Sequence, residues 1–137
     1  LIPRASNSTR PKRAVAYRKP KDNAVSRHGM VCAVANEQTL LVLQELVDIY
    51  STYDKIFIGK ASSGNTPEKR WSQKYESLGY ERMQVLCETP TTEGALWLEK
   101  ELIAHCKRVD GVNIQNPIAG GGGAKGKAPG YVYLVVG

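Results

Sequence analysis

The run YVYLVV, residues 131–136, is a strong β-strand of six consecutive apolar or aromatic side chains. A chain that carries it must also supply a sheet for it to join. Three further apolar runs qualify as partners. GMVCAVA (29–35) has the short β-branched pattern of a buried strand, and DKIFIGK (54–60) gives a strand that breaks at Gly59 before the polar loop ASSGN. ERMQVLCE (81–88) gives another, with Met83, Val85 and Cys87 on one side.

Helical stretches separate these runs. Asn36 caps EQTLLVLQELVDIYSTY, whose apolar residues at 40, 43, 46, 47 and 50 follow a helical period. Thr66, Pro67 and Glu68 make a second helix start: a hydroxyl cap, a proline at the first helical position and an acid at the positive end of the dipole. This helix is expected to reach about Ser77 and to end at Gly79. Thr92 caps a third, EGALWLEKELIAHCK, closed by Lys107, Arg108 and the turn pair Asp110-Gly111. The order predicts a small α+β domain, a mainly antiparallel β-sheet with helices packed on it.

Length and composition bound the rest. At 137 residues, with 42% apolar and 23% charged side chains, the chain has the size and make-up of one soluble globular domain. No run of 18 apolar residues occurs, so no membrane partner is expected. The first residues, LIPRASNSTR, lack both an initiator Met and a signal-peptide core, which suggests a cleaved product or a domain of a longer protein. Cys32, Cys87 and Cys106 are widely spaced within apolar segments. They read as buried thiols in a reducing intracellular compartment, ahead of a disulfide or a zinc site.

The net charge of +6 is unevenly placed. Residues 1–27 hold eight basic groups against Asp22 alone, a net of +7, and the remainder is close to neutral. Residues 1–27 therefore read as a disordered basic arm, either drawn to polyanions such as nucleic acid or merely solubilising, and 28–137 as the domain. The tract GGGGAKGK is no Walker loop, because Lys127 precedes Ala128-Pro129 rather than Ser or Thr. It reads as a flexible connection or as a loop bringing Lys125 and Lys127 to a nucleic-acid backbone.

One carboxylate stands out. With about 100° per helical residue, Ala95, Leu96, Leu102, Ile103 and Cys106 all fall within about 60° of Glu99, so the acid lies in the middle of an apolar stripe. Burial there costs several kcal/mol unless the group is paired, protonated or bound to a cation. A buried salt bridge and a role as metal ligand or general acid/base both remain open. On the preceding helix Arg70 lies at the edge of the buried face, and Lys60 enters from the neighbouring strand end, so that two cations can converge on one phosphate.

IFIGK, then PEKRW, GALWLEKELI and GVN, in that order over residues 55–116, resemble the GIY-YIG nuclease domain. The first half of that motif is missing from its usual place. The C-terminal GYVYLVVG is similar to it, which implies a circular permutation with the last strand beside IFIGK and with Tyr133 on the same side of the sheet as Glu99. The resemblance implies a divalent-metal-dependent endonuclease acting on nucleic acid, DNA favoured over RNA. Tyr133 would be the general base or water-positioning group with its pKa lowered by nearby cations, Lys60 and Arg70 would hold the phosphate, and Glu99 would bind Mg²⁺. Lys74, Tyr75, Lys125 and Lys127 are implied as nucleic-acid contacts, Asn113 as a further contact or simply a turn residue, and an inhibitor or immunity partner if the domain is a toxin. Phe57 replaces the tyrosine of the second motif and a His after the helical Arg is absent, so the alternative is a catalytically degenerate nucleic-acid-binding module.

Overall fold

A computed structural model describes residues 24–117 and 126–137. The proposed disorder of residues 1–23, and Lys125 with most of the glycine tract, lie outside the described residues. The elements in chain order are β1 (Val25–Ser26), β2 (Val31–Cys32), α1 (Glu37–Asp48), β3 (Ile56–Ser62), α2 (Pro67–Arg70) running into a π-helical turn (Trp71–Tyr75), β4 (Arg82–Thr89), α3 (Thr92–Arg108) and β5 (Gly130–Val136). The fold is α+β, with a five-stranded, mostly antiparallel sheet in the order β1-β4-β5-β3 and β2 also pairing with β4.

The strand YVYLVV takes the centre. β5 lies antiparallel to both β3 and β4, and all seven of its residues are buried. Its two faces feed two cores. Val132, Leu134 and Val136 pack with Ile56 and Ile58 against α1 and α3, while Tyr131, Tyr133 and Val135 pack with Met83, Val85, Trp71, Tyr75 and Tyr80 on the α2 side. No strand with one polar face could occupy this position, which is why the run has no polar residue.

Local signals hold where they depend on neighbours in sequence. Asn36 accepts a hydrogen bond from Thr39 N, Thr66 from Lys69 N, and Leu40, Leu43 and Val47 are the buried face of α1. The third cap is Thr91, one residue before the expected Thr92. Gly79, with φ +87°, turns the chain after the helix in a conformation that disfavours a side chain.

Four expectations are corrected. β3 runs through Gly59 to Ser62, because pairing with β5 continues to Gly130. GMVCAVA forms only the two-residue β2, parallel to β4, and both Val31 and Cys32 are exposed, so only Cys87 and Cys106 are buried thiols. Cys87 does not share a side with Met83 and Val85, because a bulge between Val85 and Cys87 turns it into the α3 core. The fold also begins by Ala24 rather than at residue 28. Val25 and Ser26 pair with Met83 and Gln84, and Arg27 makes a two-pronged ion pair with Glu68 at 2.7 Å while lying over the Tyr131 ring.

β3 is an edge strand, and its lower half is covered. Ile114 bridges Ile56, and the buried Asn116 donates from Nδ2 to Ile58 O (2.8 Å) and accepts from Ile58 N at Oδ1 (2.9 Å). One amide thus satisfies both outward backbone groups of a buried residue, as a neighbouring strand would. Asn116→Ala leaves that pair unmet and is expected to cost about 1–3 kcal/mol, read as a lower denaturation midpoint with an unchanged m-value.

Candidate active site at the sheet edge

The centre of the site is a place with no side chain. Gly59 pairs with Tyr133, and a Cβ at 59 would lie 2.5 Å from Cζ of the tyrosine and collide with its hydroxyl. The ring therefore lies across the edge strand at the one residue type that admits it. Its hydroxyl is 2.6 Å from the Tyr75 hydroxyl and accepts a 3.3 Å hydrogen bond from Arg70 Nε.

The π-helical turn makes this possible. Glu76 N donates to Trp71 O and Tyr80 N to Tyr75 O, both five residues back. In this wider turn Arg70 and Tyr75, five apart in sequence, reach the same phenol. An α-helix would set them about 140° apart. Arg70 is half-buried. Burial works against its charge, but the Tyr133 and Tyr75 hydroxyls outweigh it and hold the guanidinium above its ordinary pKa.

Glu99 comes from the other face. It is 8% exposed and sits among Ala95, Leu98, Leu102 and Ile103, as its place in the stripe implies. Among the described residues its Oε1 has no hydrogen-bond partner, and Glu99 belongs to neither of the two ion pairs. Burial raises its pKa above the ordinary carboxylate value, opposed in turn by Lys60, Arg70 and Lys100. The salt-bridge reading is thus not met, since the cations act on Glu99 through space and none closes onto it.

Tyr133 and Glu99 project from opposite faces of the sheet: Tyr133 lies with the α2 core, and Glu99 on the helix of the α3 core together with the Lys60 side of β3. The adjacency of the last strand to IFIGK is present, with Gly59 opposite Tyr133. The one-sided cleft expected for the permuted order is not. The groups still act on one another around the edge of β3, because Glu99 feels Lys60 and Arg70, and Tyr133 feels Arg70 and Glu99.

Tyr133 differs from expectation in protonation too. It is fully buried, and burial raises its pKa despite the pull of Arg70 and the Tyr75 hydrogen bond. It is a neutral phenol that positions Arg70, not a pre-ionised base. Tyr75 is likewise fully buried with its pKa raised, first by burial and then by Tyr133, so it is no surface contact for nucleic acid. Asn113 is engaged in fastening the chain: its Nδ2 donates to Asp54 O, its Oδ1 accepts from Gln115 Nε2, and its backbone oxygen accepts from Ile56 N. Lys127 is exposed, and its carbonyl accepts from Ser63 N and Ser63 Oγ, which places it at the loop after β3. Lys74 is exposed near Arg70, with its pKa lowered by burial and by that neighbour.

Sequence reading missed Asn116, whose partner is 58 residues away, and missed why residue 59 is glycine. Compared with known proteins, the chain matches no family model, no curated protein and no solved structure.

The orphaned oxygen of Glu99 suits a cation. Among the described residues no three His, Cys, Asp or Glu side chains gather to hold a metal ion. A single carboxylate fits a hard divalent ion that keeps most of its ligands as water and substrate oxygens, and Mg²⁺ is of that kind.

Two pH-linked outcomes follow from the site. Because the folded pKa of Glu99 is raised, its contribution to stability is present below the ordinary value near 4.5 and lost as pH rises through the folded value. Glu99→Gln is therefore expected to raise the melting temperature at pH 7, with the gain shrinking toward pH 4. A loss at pH 7 in thermal melts would instead make Glu99 a structural partner. The raised phenols of Tyr133 and Tyr75 have the same sign around their ordinary value of 10.0. Stability should fall as pH rises above about 10, and in the folded protein three tyrosines, Tyr75, Tyr133 and Tyr80, whose pKa burial also raises, should lag the rest in an absorbance titration at 295 nm.

Proposed function

We propose that the chain is a divalent-metal-dependent nuclease that hydrolyses phosphodiester bonds in nucleic acid, with its active centre around Gly59. The observation that carries the reading is the buried, unpartnered carboxylate oxygen of Glu99 facing the field of Lys60 and Arg70. A buried acid without a partner opposes folding, and a site that collects cations around it has a use for the negative charge. The resemblance to the GIY-YIG domain supplies the same roles for Lys60, Arg70 and Glu99, though not for Tyr133.

The roles follow from the chemistry of the step. Hydrolysis of a phosphodiester needs charge stabilisation on the phosphate, an activated water and help for the departing oxygen. Lys60 and Arg70 bind and orient the phosphate, Arg70 as a fork held at Nε by Tyr133 and backed by Tyr75. Glu99 would hold the metal ion, which when bound polarises the phosphate and lowers the pKa of its water. Tyr133 keeps its proton near neutral pH and fixes the guanidinium, so Tyr133→Phe should weaken phosphate positioning rather than remove a base.

A second reading, a nucleic-acid-binding module without hydrolysis, is favoured by one observation: Tyr133 is buried and neutral, and Phe57 offers no hydroxyl in its stead. Incubating plasmid, single-stranded DNA and RNA with the protein separates the two. Cutting that requires Mg²⁺ or Mn²⁺, stops with EDTA and falls about a hundredfold or more in Glu99→Gln and Arg70→Ala is expected. Binding without cutting under all conditions would establish the module instead, and undiminished cutting by Glu99→Gln would remove Glu99 as the metal ligand.

A further inference from the structure

The α2 side of β3 carries a second arrangement that the hydrolytic centre does not use. Lys55, Phe57 and Gly59 alternate onto this face of the edge strand, so all three follow one line toward Arg70. Lys55 Nζ lies 4.4 Å over the Tyr80 ring, and Lys74 Nζ lies 4.9 Å from the Phe57 ring centre and 5.2 Å from that of Tyr75. The rings are contiguous: Phe57 and Tyr75 are 5.4 Å apart, Tyr75 and Tyr80 5.9 Å, and Tyr75 and Tyr133 5.6 Å. Leu78, 55% exposed, borders the patch, and its carbonyl receives Lys55 Nζ at 3.4 Å.

Neither Lys55 nor Lys74 is in either of the ion pairs among the described residues, and Arg70 lies close enough to Lys74 to depress its pKa. Two like charges held side by side with no carboxylate between them repel, and an anion resolves that repulsion. Of the rings beneath them only Phe57, half-buried on an edge strand, keeps apolar surface exposed, while Tyr75, Tyr80 and Tyr133 are buried behind it. Cations interleaved with aromatic faces suit a polymer that has a charged backbone and flat bases.

We propose that the strip formed by Lys55, Phe57, Lys74 and Leu78 is a binding track for single-stranded nucleic acid, one base stacking on Phe57 while Lys74 and Lys55 contact successive phosphates. This rests on the reading of the Gly59 site as a phosphodiester centre, toward which the track leads. From Lys55 to Gly59 the strand advances about 13 Å, the reach of a few nucleotides in an extended single strand. A duplex keeps its bases stacked on one another and offers none to Phe57, so the strip discriminates by strandedness. Specificity for strandedness is a property that the hydrolytic residues alone do not imply.

The experiment measures binding without hydrolysis. The full chain in EDTA is titrated into a fluorescent single-stranded oligonucleotide, and into the same sequence as a duplex, at about physiological salt, with anisotropy as the readout. The single strand is expected to bind at least about fivefold more tightly than the duplex. Phe57→Leu, which keeps an apolar side chain at 57, should lose about fivefold or more on the single strand while leaving the duplex unchanged. Lys74→Gln and Lys55→Gln should each weaken single-strand binding and flatten its salt dependence. Far-ultraviolet circular dichroism and melting of each variant confirm folding, and photo-crosslinking of a halogenated oligonucleotide to wild-type Phe57 supplies a readout independent of substitution. Equal affinity for the two forms, an unaffected Phe57→Leu, or crosslinks elsewhere would overturn the track. Absence of metal-dependent cutting with the discrimination intact would sink the nuclease reading and leave the track standing, and cutting without discrimination would do the reverse.

Discussion

The ring of Tyr133 occupies the space where residue 59 would otherwise have a side chain, and the candidate site depends on that contact. It fixes the register of the edge strand against the central one, since sliding β3 by a single residue would bring Ile58 or Lys60 opposite Tyr133 and drive its side chain into the ring. It also lays a phenol across the edge of the sheet, where the hydroxyl meets Arg70 and Tyr75 from the π-helical turn. The wider turn departs from regular helix for a visible gain: two residues five apart serve one oxygen. An insertion of this kind at the site, and none described elsewhere in the fold, is the pattern expected where positioning outweighs helix stability.

The energetics of the site run against those of the fold. β5 is buried along its length between two apolar cores, and this burial is the main favourable term holding the sheet together. Against it stand a carboxylate sunk in the α3 core with an oxygen unmet, and Lys74 held beside Arg70. Each costs stability, and each turns a charge toward the same stretch of edge strand. Asn116 belongs to the opposite account. By closing the backbone of Ile58 it satisfies the lower edge of β3 and stops another chain from pairing there.

Much of the helical structure was legible because its causes are local. Asn36, Thr66 and Pro67 act on residues three or four away, and Glu99 was placed in the apolar stripe of α3 by periodicity alone, which its burial bears out. The strands were legible as runs but not as extents. Gly59 looked like a strand end because glycine weakens strands, and only its partner 74 residues away explains why the strand continues. The side of Cys87 was misassigned for a similar reason, since a bulge is a property of two paired strands and leaves no mark on one of them. β1 and β2 are two residues each and take their existence from β4.

The sequence by itself determined the α+β class, the helix starts at Asn36 and Thr66 and the apolar last strand, and it marked Lys60, Arg70, Glu99 and Tyr133 as candidates for chemistry. Tertiary structure decided how they stand. It put Tyr133 and Glu99 on opposite faces and brought them into each other's field at the sheet edge, and by burying the phenol it raised its pKa where the nearby cations alone would have lowered it. It also gathered Lys55, Phe57 and Lys74 into one strip from two elements. The physical reason is the same in each case. Propensity and periodicity act over a few residues, whereas strand order, burial and the electrostatic field are set by groups far apart in the chain that only the packed sheet brings together.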